Sequence, residues 1–303
     1  MHELPYEQNP QWKEILALLS KIRSENDYAQ AHVEFIREQL TSFDDRIRGG
    51  AALAAEGCLF EPYILDLVID IAENDGNAAI RKAALQSLGA VIHEGVMQGM
   101  EDEQGAGTGM DDAEEWEEFQ SGGLKDDYQR VKNLLFTLLE DEEEPELQQL
   151  ALSGLSSLGF LEEVREKIGE FYDSGRTSAQ LVALHAMGKF PQYWIDQLAS
   201  LIRPDAPPAL LKEAISASYS SQSPRLAQAI EGVLDHRDSE VLRYALMTLA
   251  NLNLSENLGE ILQRFSLHEN SAIQEAAKDG IELINQKNFQ KYMEEDLGMD
   301  PEG

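Results

Sequence analysis

The side chains able to carry out chemistry are few, and they lie far apart in the sequence. Cys58 is the only cysteine, and no two of the six histidines stand four residues apart. Zinc sites use closely spaced cysteines and histidines, and a cysteine nucleophile needs a histidine partner. The sequence therefore predicts no metal site, no bound cofactor and no catalytic residue, and we expect a protein that is not an enzyme. Cys58 itself is expected to pack as a small core residue.

Acidic residues are abundant, but their spacing is not that of an active site. The run 140–144 is typical of a solvated helix end rather than of two carboxylates held in a cleft. Asp111 and Asp112 lack the alternating ligands and the glycine of a calcium loop. A phosphate-binding glycine loop follows a strand, and no segment of this chain alternates apolar and polar residues as a strand does. Function must then come from the surfaces of helices.

One short pattern recurs along the chain. In the segment 79–92, apolar residues fall three or four apart, as in an amphipathic helix. With Ile80 as position one, an alanine stands at position five, a small residue at position eight, and usually an apolar residue at positions nine and twelve. Copies begin at Ile47, Ile80, Leu147, Ala179, Leu210, Val241 and Ile273. Successive starts are 33, 67, 32, 31, 31 and 32 residues apart, and a period this regular indicates stacked helix pairs.

The predicted fold is all-α, an α-solenoid of antiparallel helix pairs. In each pair a motif helix, which carries the pattern, is followed by a partner helix of different sequence, with breakers such as Asn74-Asp75-Gly76 between them. The predicted segments are N-terminal capping helices at 1–43, repeats at 44–94, an acidic glycine-rich insertion at 95–123, further repeats at 124–287 and an acidic tail at 288–303.

The doubled spacing of 67 residues contains the insertion. Its 29 residues include seven glycines and nine acids, a composition that buries too little apolar surface to offset the entropy of ordering. We therefore expect a mobile loop. Trp116 and Phe119 stand three apart among its acids, and they are expected either to dock on a partner by coupled folding or to fold back as part of a spacer.

The period and the segment 80–89 (IRKAALQSLG) resemble HEAT repeats, most closely the short bacterial type that includes phycobilin-lyase-like repeats. The resemblance covers roughly residues 44–286. In that family an acid before the motif helix and an arginine at position two often link neighbouring repeats. The matching residues are Asp45 with Arg48, and Arg81; Arg243 stands one position late, and the other copies carry Gln148, Gln180, Leu211 and Gln274.

Charge is distributed unevenly over the chain. The net charge is −32, from 56 acids against 24 lysines and arginines. Yet the motif-helix segments 80–92, 147–159, 179–190 and 241–253 contain no acid, whereas an even scatter would place about nine acids in these 51 residues. Deeper burial of motif helices would also lower their charge. Because this helix usually lines the concave face of HEAT arrays, the resemblance implies a neutral to mildly basic groove and an acidic convex face.

The expected function is a protein interaction scaffold or adaptor. The predicted partner is a protein or peptide held along the curve, with a basic partner favoured on the acidic face. The predicted contact residues are Lys82, Gln86, His185, Lys189, Arg243 and Met247, together with Trp116 and Phe119 of the insertion. The alternative implied by the repeat subtype is a bilin lyase or isomerase-like subunit acting on a phycobiliprotein.

Other classes of function and location are disfavoured by the composition. Nucleic-acid binding, as by a HEAT-built DNA glycosylase, needs a basic groove with aromatic residues and does not fit a net charge of −32. The first residues lack the basic stretch and apolar core of a secretory signal, and no apolar run reaches the roughly 18 residues of a membrane span. We therefore expect a cytoplasmic protein that neither crosses a membrane nor binds nucleic acid.

Overall fold

The structure, a computed structural model, describes residues 11–101, 124–140 and 144–297. Every regular element in these ranges is helical, which confirms the all-α prediction. The α-helices are α1 (Gln11–Glu25), α2 (Gln30–Leu40), α3 (Asp45–Ala54), α4 (Ile64–Asn74), α5 (Ala78–Met97), α6 (Leu124–Leu139), α7 (Pro145–Leu155), α8 (Glu162–Asp173), α9 (Thr177–Met187), α10 (Ile195–Leu201), α11 (Pro208–Ala217), α12 (Pro224–Glu231), α13 (Ser239–Leu252), α14 (Leu258–Phe265) and α15 (Ser271–Leu297).

The chain forms two compact units, Met1–Lys167 and Ile168–Gly303, and the division falls within α8. In the first unit α1 packs on α3, α3 on α5 and α5 on α7, while α2, α4 and α6 lie beside them. In the second unit α9 packs on α11, α11 on α13 and α13 on α15, while α10, α12 and α14 lie beside them. Within each unit the motif helices thus stack in sequence order, as in a solenoid.

Short polar side chains fix where several motif helices begin. The carboxylate of Asp44 accepts a hydrogen bond from the backbone N–H of Arg46, and the amide oxygen of Asn77 accepts one from Ala79. Asp238 and Asn270 do the same at the starts of α13 and α15. Such caps satisfy backbone donors that the first turn of a helix leaves unpaired.

The position-five alanines are the most uniform feature of the core. All seven have no exposed surface: Ala51, Ala84, Ala151, Ala183, Ala214, Ala245 and Ala277. The small residues at position eight lie against the preceding motif helix. The hydroxyl of Ser87 donates to the carbonyl of Ala52 at 2.6 Å, and Gly154 packs on the backbone of Gly89. Small side chains are therefore required because consecutive motif helices approach closely.

Two boundaries differ from those predicted. Helix α5 continues to Met97, past the predicted start of the insertion at Gly95, and Gly95 is buried against the ring of Tyr128. Helix α15 continues to Leu297, through the first part of the predicted tail, since no proline or glycine interrupts residues 288–297. Residues 102–123 of the insertion, with their expected mobility, lie outside the described residues. None of the helices described is long and apolar enough to cross a bilayer.

Candidate partner-binding surface

In the first unit, Arg48 links two neighbouring repeats. Its Nε donates to Oδ2 of Asp75 at 2.6 Å, its Nη2 to Oδ1 of Asp45 at 2.9 Å, and its Nη1 to the carbonyl of Ser42 at 2.7 Å. The Asp75 side chain is only 6% exposed. Burial disfavours its charge, but hydrogen bonds from Arg48 and the Asn77 N–H outweigh that effect, and the pKa of Asp75 is lowered.

The same linkage continues to the next repeat through α5. Nη1 of Arg81 donates to the carbonyl of Asp75 at 2.8 Å, and its Nη2 donates to the carboxylate of Glu144 at 2.5 Å. Lys82 forms an ion pair with Glu146 of α7. An open cavity of about 450 Å³ beside this ladder is lined by Asp45, Arg48, Asp75, Gly76, Asn77 and Ala78. Because the charged groups that line it pair with one another, we interpret it as a structural joint between repeats.

In two later copies a glutamine stands at position two in place of the arginine, and it still forms a hydrogen bond to the preceding helix. Nε2 of Gln148 donates to the carbonyl of Leu139 at 2.9 Å, and Nε2 of Gln180 donates to the carbonyl of Tyr172 at 3.1 Å. Both carbonyls belong to the last turn of the helix before the motif helix, where intrahelical donors run out. The side chain at position two therefore satisfies backbone carbonyls in several copies. The ion pairs between repeats, by contrast, are confined to the stretch from Arg48 to Glu146.

In the second unit, hydrogen bonds join the ends of successive motif helices. The hydroxyl of Ser220 donates to the carbonyl of Gly188 at 3.5 Å, and Nδ2 of Asn251 donates to the carbonyl of Tyr219 at 2.7 Å. Nζ of Lys287 in turn donates to the carbonyl of Asn251 at 2.5 Å. These bonds hold α9, α11, α13 and α15 side by side. The outward surface of α15 carries the exposed acids Glu275 and Asp279, whereas α9, α11 and α13 form a surface of different composition.

That surface carries exposed aromatic and cationic side chains. Tyr219 is 43% exposed and Tyr244 is 37% exposed. Met247 lies one turn before Asn251 on α13, and the Arg243 guanidinium lies 5.9 Å from the centroid of the Tyr244 ring. We call this surface the tyrosine face and define it by His185, Lys189, Lys212, Glu213, Tyr219, Arg243, Tyr244 and Met247.

Four of the predicted contact residues lie on the tyrosine face. His185 and Lys189 are exposed at and just beyond the end of α9, Arg243 is exposed on α13, and Met247 is half-buried. Nδ1 of His185 lies 3.5 Å from Oε1 of Glu213 on α11. The side chain of His185 therefore has an acidic neighbour on the adjacent motif helix. All four of these residues belong to the second unit, and their role as partner contacts stays a prediction.

The remaining predicted contact residues lie elsewhere. Lys82 pairs with Glu146 in the first unit, and Gln86 is exposed one turn further along α5. Trp116 and Phe119 lie outside the described residues. Sequence reasoning missed Tyr219 and Tyr244. The repeat pattern gave little signal for them, because position ten packs on the next motif helix in other copies, as Gly188 does, and position four is buried at Ala83 and Ala276.

The described residues offer little chemistry apart from hydrogen bonding and packing. Cys58 is buried, with 5% of its surface exposed, and burial raises the pKa of its thiol to about 12. Its thiol is therefore protonated and unreactive near neutral pH. In the ranges that the structure describes, no group of three or more histidine, cysteine or acidic side chains is placed to hold a metal ion.

Comparison with known proteins adds no relative. No protein-family model matches the chain, and no curated protein matches it in sequence.

Proposed function

We propose that this protein is a non-enzymatic HEAT-like scaffold or adaptor that binds a protein or peptide through the tyrosine face. The observation that carries the proposal is the pair of exposed tyrosines, Tyr219 and Tyr244, beside Met247 on helices whose other faces are buried. Tyrosine, methionine and arginine are enriched at protein interfaces, whereas acidic residues are depleted. The face carries two tyrosines, a methionine and an arginine in a chain that is otherwise strongly acidic.

The rigidity of the face also supports binding. Asn251 and Ser220 tie the ends of α11 and α13 to the preceding helices by hydrogen bonds. A tyrosine side chain has few rotatable bonds, so ordering it on binding costs little entropy for the area that it buries. A peptide lying across these helices would therefore meet a surface that is already arranged.

The test compares two variants in a pull-down from native lysate. Tyr219→Ala/Tyr244→Ala removes both rings from the face, and Phe43→Ala, at a side chain 94% exposed in the first unit, serves as the matched control. We expect the double variant to lose bands that wild type and Phe43→Ala both retain, with circular dichroism unchanged in all three. Identical bands from all three proteins would contradict the proposal.

Several finer expectations remain part of this proposal. A single buried thiol supports a reducing compartment such as the cytoplasm, and a net charge of −32 supports a protein rather than a nucleic acid as partner. The bilin lyase alternative makes a different prediction. A coloured covalent adduct formed on mixing the protein with a bilin and a phycobiliprotein subunit would favour it over the scaffold.

A further inference from the structure

We propose that the ligand of the tyrosine face is an acidic peptide segment that carries aromatic side chains. This inference rests on the proposed function and specifies the class of partner. Its basis is the charge of the face compared with that of the whole chain, together with the absence, among the described residues, of an ion-pair partner for Lys189 and Lys212.

The face reverses the charge balance of the chain. Acids outnumber lysines and arginines by 56 to 24 overall. On the tyrosine face the cations Lys189, Lys212 and Arg243 stand with two acids, Glu213 and Glu240, while α15 alongside carries the exposed acids Glu275 and Asp279. A basic segment would meet like charges on this surface, whereas the carboxylates of an acidic segment would each find a cation nearby.

The pairing of these cations differs from that in the first unit. There, Arg48, Arg81 and Lys82 are each neutralised by acids of neighbouring repeats. By contrast, Lys189 and Lys212 form no ion pair with any residue inside the described ranges. These three cations of the first unit thus join repeats, while Lys189 and Lys212 remain available to a ligand.

The other charged groups of the face are held only weakly. Nη2 of Arg243 lies 3.6 Å from a carboxylate oxygen of Glu240, and both side chains are 45% exposed. An ion pair with that exposure contributes little stability, so a ligand carboxylate can take the place of Glu240. Glu213 is a second acid beside the ligand position, and Nδ1 of His185 lies 3.5 Å from its carboxylate.

Apolar groups set the second requirement on the ligand. Tyr244 and Met247 lie one turn apart on α13, and the Asn251 bond to the carbonyl of Tyr219 brings the end of α11 alongside. Two half-exposed aromatic rings and a methionine gain most from aromatic side chains, which pack on rings and on sulfur alike. A purely acidic segment would leave this part of the face uncovered.

The experiment measures peptide binding to the full chain by fluorescence anisotropy at low salt. The probe is a fluorescein-labelled peptide that repeats Glu-Glu-Trp-Glu-Glu-Phe twice. One control peptide has every glutamate replaced by lysine, and a second has tryptophan and phenylalanine replaced by alanine. We expect the acidic aromatic probe to bind, the alanine probe to bind at least about tenfold more weakly, the lysine probe not to bind to this face, and added salt to weaken the binding.

Variants locate the binding. Lys189→Glu/Arg243→Glu reverses two charges of the face, the milder Lys189→Gln/Lys212→Gln removes two, and Arg37→Glu on α2 reverses an exposed charge elsewhere. We expect an affinity loss of at least about tenfold for the first, a smaller loss for the second and no change for Arg37→Glu. No binding of the acidic probe, or equal binding by wild type and the charge-reversed variant, overturns the inference.

The outcomes separate this inference from the proposed function. If the lysine probe binds in a manner that depends on Tyr219 and Tyr244, the face is a docking surface but the partner class is wrong. If the acidic probe binds the face while Tyr219→Ala/Tyr244→Ala captures the same lysate proteins as wild type, the ligand class stands and the proposed scaffold function fails.

Discussion

Gly188 and Ala217 lie so close that a β-carbon added to Gly188 would stand 2.9 Å from the Cα of Ala217. They occupy position ten of one motif-helix copy and position eight of the next. Gly89 with Gly154, and Ala250 with Gly280, have the same relationship. The repeat in the sequence is therefore a repeat of helix contacts, and it can be tested at single residues.

The first prediction concerns Gly188→Ala. In a helix this change normally adds up to about 1 kcal/mol of stability, but here the new methyl group meets backbone that cannot give way. We expect a loss of about 1–3 kcal/mol in the free energy of unfolding of the second unit. The measurement is urea unfolding followed by the fluorescence of the buried Trp194, in a Trp12→Phe/Trp116→Phe background.

Gly259→Ala is the matched control in the same unit. Gly259 is helical, and a β-carbon there would meet nothing within 4 Å. We expect this variant to be as stable as the background protein or more stable by up to about 1 kcal/mol. Equal effects of the two substitutions would show that the close helix contact at Gly188 is not there.

The second prediction concerns Asp75 and Arg48. Asp75→Asn removes the charge that Arg48 binds at 2.6 Å, and we expect the first unit to lose about 2 kcal/mol near neutral pH. Because the pKa of Asp75 is lowered in the folded protein, its ionised form contributes stability above the unfolded pKa, and this contribution is lost as pH falls through the folded pKa. The difference between wild type and Asp75→Asn should therefore shrink between about pH 5 and pH 2.

This pH dependence is measured by urea unfolding at several pH values, followed by far-ultraviolet circular dichroism. Asp66→Asn is a control, because Asp66 pairs with Arg130 through exposed side chains. We expect that variant to stay within about 0.5 kcal/mol of wild type at every pH. A constant difference between wild type and Asp75→Asn across this range would rule out the ionised pair as its source.

The third prediction concerns Cys58. Its burial and raised pKa predict that iodoacetamide will not modify the folded protein at neutral pH. Labelling should rise to completion once the first unit unfolds in urea, at the midpoint seen by circular dichroism. Rapid labelling in the absence of urea would place the thiol at the surface.

The fourth prediction concerns the insertion. Glu101, at its near end, accepts hydrogen bonds from Lys132 at 2.5 Å and Tyr128 at 3.1 Å, both on α6. Replacing 102–123 by a short glycine-serine linker leaves this cluster intact, so we expect unfolding of the first unit to be unchanged. If Trp116 and Phe119 dock on a partner, the deletion weakens partner binding; equal affinity with and without the segment assigns it the role of a spacer.

The sequence predicted those positions that have the same packing role in every repeat. Alanine at position five is required wherever two helices approach closely, so the pattern located all seven motif helices, and their alanines are fully buried. Chain length between copies likewise predicted an insertion between α5 and α7. These features are encoded locally, because the periodicity of a helix determines which residues face its neighbour.

Contacts between residues far apart in the chain were harder to predict. Arg81 meets Glu144, 63 positions later, across the insertion. The family resemblance implies that an arginine at position two pairs with an acid before a motif helix, but the run 140–144 was interpreted as a solvated helix end, so this partner was missed. The exposure of Tyr219 and Tyr244 was likewise hidden, since aromatic residues more often fill cores. The exposure of polar and charged side chains was easier to predict. His185, Lys189 and Arg243 were expected at outward positions, and all three are exposed.

The most direct test of the account is photo-crosslinking from the tyrosine face. The photoreactive amino acid p-benzoylphenylalanine is introduced at Tyr244, and in a separate protein at the exposed Phe43, before irradiation in native lysate. We predict a discrete cross-linked protein from the Tyr244 position that excess unlabelled wild-type protein competes away, and no such product from Phe43. The same product from both positions, or from Phe43 alone, would contradict the claim that this face binds the partner.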